Sequence, residues 1–64
     1  MYKLWARSRE TKQYVLLMTF DDPRQFDYLI DQVDTSLYEE VLILYDENRV
    51  ARYRELGKNR KLSL

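Results

Sequence analysis

Apolar and polar side chains alternate from Tyr2 to Arg7. Tyr2, Leu4 and Ala6 fall on one side, and Lys3, Trp5 and Arg7 on the other. A period of two predicts a strand. The polar run 8–13 has no glycine and predicts a hairpin loop longer than a two-residue primed turn. Tyr14 to Phe20 is apolar at both parities, the pattern of a strand covered on both faces. The period then changes. Phe26, Leu29, Ile30 and Val33 are spaced i, i+3, i+4, i+7, which is one buried face of a helix. Asp22 is placed to cap that helix, Pro23 suits its first position, and Gln25 completes a capping box. The expected helix has about twelve residues, roughly 18 Å of axis, and no glycine stops it.

Tyr38 to Tyr45 is again apolar on both faces and predicts a third strand. Residues 46–49 read as a turn and 50–56 as a fourth strand. The alternative for 50–56 is a C-terminal helix that starts at Asn48 and stops at Gly57. The strand is preferred because a tight hairpin sets Asp46 opposite Arg49 and Glu40 near Arg54. The pattern predicts an α+β fold of ββαββ order, a four-stranded sheet with one helix packed on one face. It forms a single domain over 1–56 with a basic tail over 57–64.

Two strand orders fit. The first is 1-2-3-4, with the two most apolar strands as parallel central neighbours. The second is 2-1-4-3, ranked lower because Lys3, Arg7, Arg52 and Arg54 mark the first and last strands as edges. In the second hairpin, Leu42 and Leu44 share a face with Ala51 and Tyr53. That set carries no charge and is expected to meet the helix. Val41 and Ile43, with Arg52 and Arg54, are then expected on the open face, bordered by Trp5, Lys3 and Arg7.

Composition narrows the chemistry. The 64 residues contain no Cys and no His, which removes disulfides and thiolate or imidazole metal ligands. A core of this size typically supplies about 3–5 kcal/mol of net stability, and association is a common way to add more. No apolar run is long enough to span a membrane, and Met1 to Trp5 leads straight into Arg7 and Arg9, unlike a signal peptide. A cytoplasmic protein is expected. Net charge is zero but segregated. The start is basic (Lys3, Arg7, Arg9, Lys12), the middle acidic (Asp21 to Glu47), and the end basic again (Arg49 to Lys61).

Catalysis is not expected. There is no nucleophile–base pair and no glycine-rich phosphate loop, and no cofactor is implied. Asp27 and Asp31, at i, i+4 with Asp34 beyond, are a possible Mg²⁺ pair, but an acidic solvated helix face explains them without function. Two binding readings remain. In the first, the open sheet face and the acidic helix surface engage protein, through Trp5, Val41, Ile43, Arg52, Arg54, Asp27 and Asp31. The chain then acts as a homodimer or as a modulator or inhibitor of another protein. In the second, Trp5 and its basic neighbours form a stacking platform for nucleic acid. Neutral net charge and the absence of an RNP-like run count against that.

The runs Tyr2-Lys3-Leu4-Trp5-Ala6-Arg7-Ser8-Arg9, Thr19-Phe20-Asp21-Asp22 and Tyr53-Arg54-Glu55-Leu56 together resemble short, functionally uncharacterised accessory proteins of bacteriophages and prophages. The resemblance spans most of the chain and lies in pattern. It implies a small protein that acts by binding, on a host factor, and it transfers no site residues.

Overall fold

A computed structural model describes residues 1–46 and 49–57. The elements are β1 (Tyr2–Ser8), β2 (Tyr14–Phe20), a 3-10 turn (Pro23–Gln25), α1 (Phe26–Asp31), β3 (Tyr38–Tyr45) and β4 (Arg49–Glu55). The fold is the expected α+β, ββαββ arrangement, and 49–55 is strand rather than helix. Of the basic tail expected over 57–64, all but Gly57 lies outside the described residues, as do two residues of the second hairpin turn. None of the described helices is long and apolar enough to cross a membrane.

The strand order is β2-β1-β3-β4, with every neighbouring pair antiparallel. It corrects both orders read from the sequence. β2 and β3 run parallel but are not neighbours, because β1 lies between them as in a split βαβ unit. The charges on β1 misled the reading. Lys3 and Arg7 occupy one parity only, and Arg7 meets acids of β3 across the sheet rather than guarding an edge. The other parity supplies Leu4 and Ala6 to the core.

The helix packs on the centre of the sheet. Phe26, Ile30 and Val33 close over Leu4, Ala6, Val41 and Ile43, and these seven form the buried core. Leu29 is partly buried against it. Ala6 is fully buried, and its single methyl keeps the sheet surface low where the helix lies over it.

α1 is half the expected length. The chain enters through the 3-10 turn, where the Asp22 carboxylate accepts from the amide of Arg24 at 2.9 Å. At the other end the Asp34 carboxylate accepts from the Ser36 amide at 2.9 Å and from its hydroxyl at 2.6 Å. That local turn competes with continued helix. The amides of Gln32 and Val33 fall back on the carbonyls of Leu29 and Ile30, the tighter i→i−3 closure of a helix end. Asp31 and Asp34 also oppose the helix dipole at this terminus, and no basic residue occupies the last turn.

The two ends of the sheet differ. At the end where β1 starts, Tyr2 stacks on Phe20 at 5.5 Å and meets Phe26 edge-on at 5.0 Å, with Tyr45 beside it. At the opposite end Arg9 ties three segments together. Its amide donates to Leu37 O, its Nε to Thr35 O at 2.8 Å, and its Nη2 to Gly57 O at 2.6 Å.

Ile43 has no solvent exposure. Ile43→Val is expected to cost about 0.5–1.5 kcal/mol, read as a lower urea midpoint with unchanged slope. Ile43→Lys is expected to prevent folding, because it buries an unpaired charge.

Candidate interaction surface

Cross-strand pairing fixes which side chains share a face, since neighbours in register point the same way. Beneath the helix, three rows cross the sheet from β2 to β4: Phe20–Tyr2–Tyr45–Arg49, Met18–Leu4–Ile43–Arg52 and Val15–Ala6–Val41–Arg54. The uncovered face also has three rows: Thr19–Lys3–Leu44–Val50, Leu16–Trp5–Leu42–Tyr53 and Tyr14–Arg7–Glu40–Glu55. The middle row of the uncovered face is apolar or aromatic on every strand.

This reverses the expected faces. Val41 and Ile43 are buried under the helix and offer nothing to a partner. Arg52 and Arg54 lie on the helix side as well. Leu42 and Tyr53, expected beneath the helix, are on the open face. The sequence rule chose the charge-free set as the buried one. It failed because β4 is an edge strand, whose arginines reach around the rim of the helix instead of lying under it. Arg52 Nη1 is 2.5 Å from Asp27 Oδ1, and its guanidinium lies 5.4 Å from the Phe26 ring centre. Arg54 reaches Asp27 at 3.1 Å and Asp31 at 3.3 Å. Asp27 and Asp31 are therefore brought together with Arg52 and Arg54 in one exposed ionic bracket between helix and sheet. Their carboxylates are held by guanidinium groups, and among the described residues no cluster of three or more acids is placed to hold a metal.

Trp5 is where the sequence put it, in the open face, flanked by Leu16 on β2 and Leu42 on β3. Its indole Nε1 is shielded from solvent and has no hydrogen-bond partner among the described residues. What the indole presents outward is ring carbon, so it offers apolar contact rather than a donor.

The polar row at one end of this face is a connected network that the sequence did not reveal. Arg7 Nε donates to Glu39 at 2.7 Å and Arg7 Nη2 lies 3.0 Å from Glu40. Lys12 Nζ donates to Glu39 at 2.9 Å. The Tyr14 hydroxyl donates to Glu40. A bulge in β3 makes this possible: Arg7 faces Glu40 and Ser8 faces Tyr38, so Glu39 is the extra residue and two consecutive acids serve one arginine. Two signals were present, the Glu39-Glu40 pair and Arg7, but only the β1–β3 pairing connects them. A shallow depression of about 190 Å³ beside this network is lined by Arg7, Arg9, Glu39, Glu40, Glu55 and Gly57.

The network shifts its acids in definite directions. Hydrogen bonds from Lys12 and then Arg7 hold the Glu39 carboxyl below its ordinary range, against some desolvation. The hydrogen bond to Glu40, aided by burial, pushes the Tyr14 hydroxyl up. Desolvation and the nearby Glu40 charge raise Tyr53. Elsewhere Arg24 lowers Asp22, and Ser36 lowers Asp34.

No protein-family model, no curated protein and no solved structure matches this chain.

These shifts set an acid limit and an alkaline limit. The depressed carboxyls of Asp22, Asp34 and Glu39 contribute stability that is present above about pH 4, the unfolded range. It is lost as pH falls through their lower folded values. The raised tyrosines contribute stability that is complete below about pH 10 and lost as pH rises through their higher folded values. Melting temperature against pH is expected to fall on both flanks. Glu39→Gln should flatten the acid flank and Tyr14→Phe the alkaline one.

Proposed function

We propose that this chain is a small, non-catalytic interaction protein. It modulates another protein, a host factor in the cytoplasm, by laying its open sheet face against that protein. The observation that carries the reading is the row Leu16–Trp5–Leu42–Tyr53. It crosses all four strands with no charge, and no described element covers it. Apolar surface continuous across a sheet is the usual mark of an interface. Aromatic anchors ringed by polar groups are the usual layout of a binding hot spot. Here Trp5 and Tyr53 are the anchors, and Lys3, Arg7 and Glu40 form the rim.

The acidic helix surface contributes less than its sequence implies, because Asp27 and Asp31 are engaged by Arg52 and Arg54. The same ion pairs weaken the nucleic-acid reading. They take two arginines away from the Trp5 platform, and Arg7 is compensated by two glutamates.

The test compares wild type with Leu42→Lys and Tyr53→Lys as immobilised baits in lysate of the source cell. A protein held by wild type, and lost at least tenfold by both variants while their circular dichroism is unchanged, is the expected result. Equal retention by all three overturns the open-face reading. Binding to mixed-sequence oligonucleotides that collapses between low and moderate salt would point to the nucleic-acid alternative instead.

A further inference from the structure

β2 has the composition of a central strand and the position of an edge strand. Tyr14–Phe20 contains no charge, glycine or proline. Tyr14, Val15, Leu16, Leu17 and Met18 are each between 37% and 47% exposed. The exposure is on both faces, since Val15 and Met18 lie on the helix side and Tyr14 and Leu16 on the open side. One side of the β2 backbone pairs with β1, with Leu17 as the extra residue of a bulge between the Leu4–Met18 and Trp5–Leu16 pairs, and no described strand pairs with the other side. The far edge of the sheet is unlike it. β4 carries Arg49, Arg52, Arg54 and Glu55, the kind of charged edge that discourages pairing.

We propose that the free edge of β2 is a self-association edge. A second copy of this chain pairs with it antiparallel about a two-fold axis near Leu17, joining two four-stranded sheets into one of eight strands. Two features argue for a copy of this chain as the occupant. The first is charge. Lys12, which donates to Glu39 but keeps most of its side chain exposed, precedes the strand, and Asp21 follows it, so antiparallel pairing brings Lys12 of each copy toward Asp21 of the other, twice by symmetry. A parallel copy would set like charge on like. The second is mutual fit. Each β2 offers seven uncharged residues, so neither copy encloses a charge, and both strands reach the two-sided central position their composition suits. Beside Val15 a depression of about 370 Å³ is lined by Tyr38 and by Leu37, which is 57% exposed, together with polar residues of the first hairpin turn. This edge shares Leu16 with the open-face row but neither Leu42 nor Tyr53, so variants of those two residues test the open face without touching the edge.

Sedimentation over a wide concentration range tests it. Wild type is expected to dimerise. Leu16→Lys/Met18→Lys, which puts one charge on each side of the exposed strand, should weaken dimerisation at least tenfold with unchanged circular dichroism. Tyr53→Lys should leave the dimer intact. A wild-type monomer at all concentrations overturns the proposal, as does a dimer lost with Tyr53→Lys but not with the β2 variant. Orientation and folding are checked separately by cross-linking. The chain has no cysteine, and residues facing each other across an antiparallel pair lie about 4.5–5.5 Å apart at Cα, within disulfide reach. Leu17→Cys is expected to oxidise readily to a covalent dimer and Tyr14→Cys is not. Equal cross-linking at both positions would indicate parallel stacking and would overturn the two-fold arrangement.

Discussion

One short helix has to close a sheet of four strands, and it cannot. Six α-helical residues extend about 9 Å, whereas four strands spaced about 4.8 Å apart span more than 14 Å. The helix therefore settles over β1 and β3, the two strands that give it Leu4, Ala6, Val41 and Ile43. β4 meets the core through Ala51 and the helix through its arginines, β2 meets the core at Phe20, and the reverse face is left uncovered. The small core, the exposed aromatic row and the uncharged edge follow from that mismatch in size.

Charge does the positioning that apolar area is too scarce to do alone. The sequence separates its charges into basic, acidic and basic blocks, and the fold uses the separation as a pairing scheme. Arg7 and Lys12 from the first block meet Glu39 and Glu40 from the second. Arg52 and Arg54 from the third meet Asp27 and Asp31. These exposed pairs individually add little stability, about 0–1 kcal/mol. Their value lies in direction, because they discriminate between the two faces that the helix could have covered.

Local periodicity made the elements legible, and long-range pairing hid the rest. Every strand was readable from its own residues, and so was the buried face of Phe26, Ile30 and Val33, although Val33 packs on the core from just beyond the helix end. The helix stop was less so, because Asp34 capping Ser36 replaces the glycine that marks most helix ends. Strand order was not legible, since charges on a central strand and on an edge strand look alike until their partners are known. Faces were lost for the same reason: the arginines of β4 read as solvent-facing, and they are, but from the helix side. Of the residues singled out for binding, Trp5 alone stands on the open face. Leu16, Leu42 and Tyr53 complete its row, and only the register assembles them.

Tyr2 and Gly57 leave the sheet at opposite ends. The first strand begins beside the aromatic cluster, and the last ends where Arg9 holds the Gly57 carbonyl. A pull applied between those two points runs along the strands. It loads the β1–β3 and β3–β4 ladders in shear, the geometry in which many hydrogen bonds must fail together rather than one at a time. β2 lies outside that line of force, so such a pull leaves its ladder with β1 unloaded.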